Sequence, residues 1–225
     1  MTQLLLDIKP PAVPSLANFV PGRNLELLQM LTKIICAQDR ERFVYIWGKL
    51  GCGKSHLLQA VIQYFMQRKS YASYLPGEIT QEFQFTDDLA CVAIDDVERL
   101  NGDAQITMFN IYNQIRENGN TFLLVSGSLA PSQLNLRQDL VTRLGWGLVY
   151  QVHELTEEEK IQALQVHAIE RGFNLRKEIC GYLLRHNKRD LPSLMLTLDA
   201  LDRYSLIHQR QITIPLLRKL LHGIS

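Results

Sequence analysis

The segment YIWGKLGCGKSHLL, residues 45–58, constrains the fold of this chain more than any other. Its centre, GKLGCGKS, fills every fixed position of the phosphate-loop pattern GxxxxGK[ST]. The apolar run FVYIW leads into the loop, and apolar residues at helical spacing follow it, which is the strand–loop–helix context that this pattern requires. The segment therefore predicts a nucleotide-binding α/β unit in which a buried strand runs into a phosphate-binding turn.

The residue types of this loop suit phosphate chemistry. Glycines let the backbone turn its amide groups toward phosphate oxygens, and the helix that begins near Lys54 adds its positive end. The Lys54 ammonium supplies a charge for the β and γ phosphates, and the Ser55 hydroxyl is a ligand for Mg²⁺. The predicted nucleotide-binding residues of this segment are Gly48, Gly51, Cys52, Gly53, Lys54, Ser55 and His56.

For Cys52 and His56, a purely structural interpretation stands beside the functional one. A thiol at a helix amino terminus, such as Cys52, is a conceivable redox switch, but a position that tolerates small residues is the favoured interpretation. His56 follows the loop, and a histidine there more commonly packs or faces solvent than takes part in catalysis.

The second half of the predicted site is LACVAIDDVE, an apolar run that ends in two acids. A carboxylate at the end of such a strand organises Mg²⁺ in phosphate-loop proteins, which assigns Asp95 to the metal. Asp96 is the candidate for activating the attacking water. Its side chain is one methylene shorter than the Glu of many such ATPases, so its carboxylate reaches less far.

The apolar runs alternate with helical patterns through the first two thirds of the chain. Apolar residues Ile106, Phe109 and Tyr112, with Ile115 as a further candidate, predict a helix that Gly119 ends. Because most strands are continuously apolar, the pattern predicts an α/β fold with a parallel sheet covered on both faces. The predicted strands are FVYIW, YASYL, LACVAID, TFLLVSG and LVYQV.

The pattern divides the chain into three parts. Residues 1–21 contain four prolines and predict a flexible tail. Residues 22–154 form the predicted nucleotide-binding domain. From residue 155 to 225 the pattern is helical, and Thr156 with Glu159 forms a capping box where this small helical domain begins.

Composition limits the class of protein. The chain carries 24 Lys and Arg against 23 Asp and Glu, a net charge of +1, so no strong attraction to nucleic acid or membrane is expected. The 4 cysteines are scattered without a CxxC pair and suggest reduced thiols. With no signal-peptide pattern and no long apolar run, a cytoplasmic protein is the expectation.

Three segments together resemble the AAA+ module of the bacterial replication initiator DnaA: GKLGCGKSHLLQA, VAIDDVE and LVTRLGWGLVYQV. The resemblance covers about residues 15–222, and TRLGWG is its most specific part, since phosphate loops occur in very many ATPases. The initiator also has a carboxy-terminal DNA-binding domain and a long amino-terminal extension, which this chain is expected to lack. The chain is thus identified as a member of the Hda family, the DnaA regulatory inactivators.

The resemblance implies roles for further residues. Arg143 of the TRLGWG box resembles an arginine finger that acts in trans on nucleotide held by a neighbouring subunit. Arg189 falls at the family's sensor 2 position, where it would reach the bound nucleotide from a lid helix. Ser128 stands at the sensor 1 position, where relatives usually have Asp. Trp146 is expected to pack in the core, line the nucleotide site or brace the turn after Arg143.

The amino terminus, QLLLDI, resembles the short motif by which such proteins bind the DNA polymerase sliding clamp. In that motif a Gln hydrogen-bonds at the rim of a pocket and apolar side chains fill it. Asp7 stands where relatives often have Pro. The residues that match the motif are Gln3, Leu4, Leu6 and Ile8.

The resemblance as a whole implies a regulator of DNA replication initiation. It would bind ADP or ATP with Mg²⁺, dock on the DNA-loaded clamp, and stimulate ATP hydrolysis by DnaA, contacting DNA only through the clamp and lying at the nucleoid for that reason. A homo-oligomer is a further possibility. Asp96 and Ser128 favour an activator of a partner's ATPase over a strong ATPase. The alternative is a self-sufficient AAA+ ATPase of the helicase-loader or remodelling type.

Overall fold

The computed structural model describes residues 13–77, 85–86, 88–188, 190–208 and 212–222. These residues form two compact units, and the chain passes from the first to the second between Glu154 and Leu155. The division falls where the sequence changes from alternating strand and helix patterns to a purely helical pattern. The first unit begins at Val13.

The first unit is built on a five-stranded parallel sheet with the order β2-β3-β4-β1-β5. The strands are β1 (Phe43–Trp47), β2 (Tyr71–Leu75), β3 (Leu89–Ile94), β4 (Phe122–Gly127) and β5 (Leu148–Gln151). Strand β1 pairs with β4 on one side and β5 on the other, with Trp47 opposite Gly127. The predicted parallel α/β architecture is confirmed, and the carboxyl ends of the central strands meet at one edge of the sheet.

Four helices cover the two faces of this sheet: α1 (Leu25–Ile35), α2 (Lys54–Gln67), α3 (Gly102–Asn118) and α4 (Gln138–Leu144). Side chains alternate along β1, so Val44 and Ile46 join the core cluster that contains α1 and α2. Tyr45 faces the other way and joins the cluster that contains α3 and α4. The two helical layers thus meet opposite sides of one buried strand.

The predicted helix is present as α3, and Gly119 follows its last residue in the left-handed conformation. Of the apolar residues that predicted it, Tyr112 and Ile115 lie in the core, whereas Ile106 is 44% exposed. Met108 and Ile111 are almost fully buried as well. The helix carries two apolar stripes, and the sheet selects the one that contains Met108.

Residues 13–21, assigned from the sequence to a loose tail, belong to the first unit. Ser15 and Asn18 form a capping box around a short 3-10 helix, Leu16–Asn18. The Ser15 carbonyl accepts a hydrogen bond from His56 Nε2 at 3.1 Å, and the Phe19 ring lies 5.6 Å from the His56 ring. The segment is therefore held against the beginning of α2.

The second unit contains only helices among its described residues: α5 (Glu157–Glu170), α6 (Lys177–His186), α7 (Leu191–His208) and α8 (Ile214–His222). The predicted capping box is present, because the Thr156 hydroxyl accepts from Glu159 N–H at 3.2 Å and Thr156 N–H donates to the Glu159 carboxylate at 2.7 Å. The four helices share their own apolar core. No described helix in either unit has the length and apolarity needed to cross a bilayer.

Gly147 provides a test of how tightly β1 packs against the segment after α4. A Cβ at this position would lie 2.2 Å from the Phe43 carbonyl oxygen, a backbone atom that cannot turn aside. We expect Gly147→Ala to lower the free energy of unfolding by about 1–3 kcal/mol through overpacking. Urea unfolding followed by tryptophan fluorescence measures the change.

Gly145 supplies the matched control two residues away. A Cβ there would meet its nearest atom, the Thr142 carbonyl oxygen, at 3.5 Å, which is ordinary contact. Gly145→Ala should change stability by less than about 0.5 kcal/mol. Equal effects of the two substitutions would contradict the close approach to Phe43.

Candidate nucleotide-binding site

The predicted phosphate loop lies between the end of β1 and the start of α2. Lys54 is only 6% exposed, and its ammonium donates to the carbonyl oxygens of Gly48 at 2.9 Å and Lys49 at 3.3 Å. The charge is thus held inside the turn of the loop, where incoming phosphate oxygens can replace the carbonyls as its partners. Ser55 follows on the first turn of the helix and is exposed.

Gly53 is the loop position where glycine is required. It precedes α2 with a φ of 104°, in the left-handed region that other residues adopt at a cost. A Cβ here would also lie 2.7 Å from Phe19 Cε2. The amino-terminal segment therefore packs against the loop, and a side chain at this position would have to displace the Phe19 ring.

Cys52 and His56 are both surrounded by other parts of the chain in this loop. Cys52 is buried, and burial raises the pKa of its thiol despite the nearby Lys54 charge, so the neutral thiol is favoured and the redox-switch interpretation loses support. Burial lowers the pKa of His56. Since the Ser15 carbonyl only accepts, His56 Nε2 carries the proton, and its observed contact is with the chain rather than with solvent.

Asp95 directly follows β3 and is 5% exposed. Its carboxylate accepts two hydroxyl donors, Tyr74 at 2.6 Å on Oδ2 and Ser126 on Oδ1. The two donors come from β2 and β4, the strands on either side of β3. Parallel pairing thus places one hydroxyl group on each flank of the predicted metal-organising carboxylate.

Asp96 leaves the strand in the left-handed conformation, with a φ of 48°. Its N–H donates to Ser126 Oγ at 3.0 Å, and its carboxylate lies 4.0 Å from Arg99 Nε. Burial raises the pKa of Asp96, the carboxylates of Asp95 and Glu98 raise it further, and the Lys54 charge opposes the shift. The phosphate-loop cation and the neighbouring acids therefore act on the same carboxylate in opposite directions.

Ser126, which the sequence analysis passed over, joins the two acids. It is fully buried, donates to Asp95 and accepts from the Asp96 amide. Ser128, the residue placed at the sensor 1 position, is exposed, and its contact is a donation from its N–H to Glu98 at 3.0 Å. The available signal for Ser126 was a single hydroxyl in an otherwise apolar buried strand beside the acids.

Ser55 and Asp95 offer the oxygen ligands that Mg²⁺ takes in proteins. The Asp95 oxygens retain further lone pairs beyond the two hydroxyl donors. Within the described part of the chain, no Lys or Arg lies within ion-pair distance of Asp95. The chemistry of these residues therefore fits a magnesium ion.

Arg143 lies in the last turn of α4, where α3 supplies its surroundings. Its guanidinium donates to Asn113 Oδ1 and stands 4.1 Å from the centre of the Phe109 ring. Trp146 is also within cation–π distance, at 5.5 Å, but it is 57% exposed and not part of the core, contrary to one expectation. It does lie beside Arg143, as the bracing interpretation required.

The remaining predicted residues lie outside the described ranges. They are the sensor 2 candidate Arg189 and the clamp-motif residues Gln3, Leu4, Leu6 and Ile8.

The sheet, the loop and the carboxylate at the neighbouring strand end define a phosphate-loop nucleotide-binding module of the AAA+ class. The family model of the bacterial DnaA ATPase domain matches residues 14–151, and that of the Hda lid domain matches residues 157–221. The chain belongs to the bacterial DnaA ATPase-domain family, and its helical unit is an Hda-type lid.

Solved structures show the same fold at low sequence identity. Domain III of the Thermotoga maritima replication initiation protein DnaA has a TM-score of 0.74 and 21% identity, over 95% of this chain and 97% of that one. AMPPCP-bound DnaA from Aquifex aeolicus has a TM-score of 0.68 and 21% identity, over 90% of this chain and 71% of that one. The Thermotoga maritima RuvB Holliday junction branch migration motor has a TM-score of 0.67 and 14% identity, over 93% of this chain and 71% of that one. The AAA+ fold with a helical lid is thus confirmed.

Ser126 provides a test of the contact between the two acids. Ser126→Ala removes the donor from Asp95 Oδ1 and the acceptor from the Asp96 amide in a buried location. We expect the free energy of unfolding to fall by about 1–3 kcal/mol, the typical cost of losing partners from buried polar groups. Chemical denaturation of the two proteins side by side gives the difference.

Ser128→Ala is the control, because Ser128 is exposed and its observed contact is made by the backbone N–H, which the substitution keeps. It should alter stability by less than about 0.5 kcal/mol. If Ser128→Ala were the more damaging of the two, the assignment of the buried contact to Ser126 would be wrong.

Proposed function

We propose that this chain binds an adenine nucleotide, ADP or ATP, with Mg²⁺ at the phosphate loop. The loop backbone and the buried Lys54 ammonium suit the phosphates, and Ser55 and Asp95 suit the metal. Support comes from a DnaA relative of the same fold that was solved with AMPPCP. When bound, the ion would neutralise phosphate charge, while the protein contributes position and hydrogen bonds.

The role of the bound nucleotide in this proposal is structural. The Asp96 side chain is short, and its backbone amide is tied to Ser126. Its carboxylate has Arg99 nearby. An acid in this arrangement is a weak candidate for activating water within reach of the γ phosphate. Nucleotide in this chain then maintains a form that a partner binds, and Arg189 is the proposed lid residue that responds to it.

We propose further that the chain stimulates ATP hydrolysis by DnaA and so limits replication initiation. The observation that carries this proposal is the location of Arg143. Its guanidinium contacts Asn113 and Phe109 on α3, whereas Lys54 contacts the carbonyls of its own loop. The two cations thus have separate surroundings within the chain, which supports a role for Arg143 toward nucleotide on a neighbouring protein.

The chemistry of such an arginine is electrostatic. As the γ-phosphoryl group transfers to water, its equatorial oxygens carry charge that a guanidinium stabilises. The planar fork of Arg143 donates in a fixed geometry that Lys cannot reproduce. The aromatic rings around it desolvate one face of the guanidinium and limit its rotamers, so less ordering remains to be done when the partner binds.

The proposed route to DNA is the sliding clamp. The segment QLLLDI at the amino terminus supplies one Gln and apolar side chains for a clamp pocket, in the manner of a linear motif. A chain docked on a DNA-loaded clamp would meet DnaA at a raised effective concentration. This proposal places the protein in the cytoplasm, at the nucleoid.

ATP hydrolysis by purified DnaA is the measurement that tests the regulator proposal, with and without this chain and the DNA-loaded clamp. Acceleration only with all components present is the expected result. Arg143→Ala should then lower the stimulated rate by about 10³-fold or more, the lower end of what trans-acting arginines contribute, and Arg143→Lys should not restore it.

The control is Arg137→Ala at the other end of the same helix. Arg137 is an exposed residue paired with Asp139, and its loss should leave stimulation within about twofold of the wild type. Nucleotide and clamp binding must survive Arg143→Ala, since their loss would make the residue structural. Turnover by this chain alone, indifferent to DnaA and clamp, would overturn the regulator proposal and leave a self-sufficient ATPase.

Clamp docking has its own test in binding of the full chain to immobilised clamp. Leu6→Ala empties the proposed pocket and should weaken binding by about 30-fold, the effect of losing an interface anchor of roughly 2 kcal/mol. Thr2→Ala, outside the motif, should be neutral. Unchanged affinity of the Leu6 variant would move the clamp contact elsewhere on the chain or remove it.

A further inference from the structure

Tyr74 is an unexpected neighbour of the phosphate-loop site. It lies on β2, an edge strand of the sheet that contributes no residue to the loop or to the acidic pair. Its hydroxyl nevertheless donates to Asp95 Oδ2 at 2.6 Å, while Ser126 occupies Oδ1. The predicted metal-organising carboxylate is therefore fixed from two sides.

The phenol is suited to remain a donor. A phenol is protonated at physiological pH, and the Tyr74 hydroxyl donates its proton to the Asp95 carboxylate, which can only accept. Tyr74 pairs with Ala93, two residues before Asp95, so the pairing of β2 with β3 holds the donor beside the acid.

A carboxylate in this environment needs its partners. Asp95 is almost fully buried, and a buried carboxylate that loses a donor changes its rotamer or carries an unsatisfied oxygen. Groups that hydrogen-bond the residues around a metal ion orient them, and their removal typically lowers metal affinity by about 10–100-fold. A phenol serves this purpose without adding a positive charge that would repel the metal.

We infer that Tyr74 is the positioning residue for Asp95, and that it sets how tightly Mg²⁺ joins the nucleotide in this chain. This inference rests on the proposed nucleotide and Mg²⁺ site. Tyr74 acts through Asp95 and does not touch the phosphates. Its contribution is consequently expected in the magnesium requirement and not in the affinity for nucleotide without metal.

The experiment is a Mg²⁺ titration of the full chain with a fluorescent ADP, followed by anisotropy, with a metal-free series in EDTA. Tyr74→Phe removes only the hydroxyl. We expect the Mg²⁺ concentration at half effect to rise about tenfold, while the metal-free affinity for fluorescent ADP stays within twofold. The matched control is Tyr71→Phe, on the same strand with a 68% exposed side chain, which should behave as wild type.

A double substitution tests the route of the effect. In an Asp95→Asn background, Tyr74→Phe should change the magnesium requirement by less than twofold, because the group that it positions is already altered. A tenfold effect that persisted there would overturn the inference. So would a Tyr74→Phe protein with the wild-type requirement, or one whose metal-free affinity for the nucleotide fell equally.

The wild-type titration separates the two levels of the argument. If the wild-type chain binds no fluorescent ADP, or binds it with no influence of Mg²⁺, the proposed site itself fails and Tyr74 fails with it. If the wild type shows a magnesium requirement that Tyr74→Phe shares, the site stands and the positioning role alone is wrong. Mn²⁺ electron paramagnetic resonance of the ADP complex provides a second readout of the same difference.

Discussion

The parallel pairing of β1 with β4 and β5 is the constraint on which the rest of the first unit depends. It brings the end of the phosphate-loop strand beside the end of β4, where Gly127 lies opposite Trp47. Pairing of β4 with β3 then places Ser126 beside Asp95. The loop, the serine and the acid are far apart in sequence, and hydrogen bonds along adjacent strands alone make them neighbours.

The strands of this fold were predictable because each is a short, continuously apolar run. Such a run is typical of a parallel strand that is buried on both faces. Local sequence patterns were less informative where tertiary contacts decide which face of an element is buried. Helix α3 carries two apolar stripes, and one of them, with Phe109, packs beneath Arg143 instead of in the core. Residues 13–21 contain two prolines, and their sequence gave no sign of the contact between Ser15 and His56, 41 residues apart.

The site itself was predictable where a single motif specifies it and not where strands must first be paired. The loop residues, Asp95 and Asp96 follow from local sequence. Ser126 and Tyr74 do not, because their roles exist only once β2, β3 and β4 lie side by side. The family resemblance assigned the sensor 1 position to Ser128, and that assignment stays a prediction. The hydroxyl that contacts Asp95 belongs to Ser126, two residues earlier, on β4.

The packing of Phe43 has a consequence for assembly. Phe43 begins β1 and lines a depression with Tyr112, Arg143 and Gly147, whereas the phosphate loop leaves the other end of the same strand. A strand of 5 residues at about 3.3 Å each spans about 16 Å, so β1 separates the surroundings of Arg143 from the phosphate loop by that length. Under the proposed role of Arg143, a partner's nucleotide would therefore lie about one strand length from the chain's own nucleotide. Such a contact joins two different surfaces, unlike a two-fold dimer, in which the same surface serves both subunits.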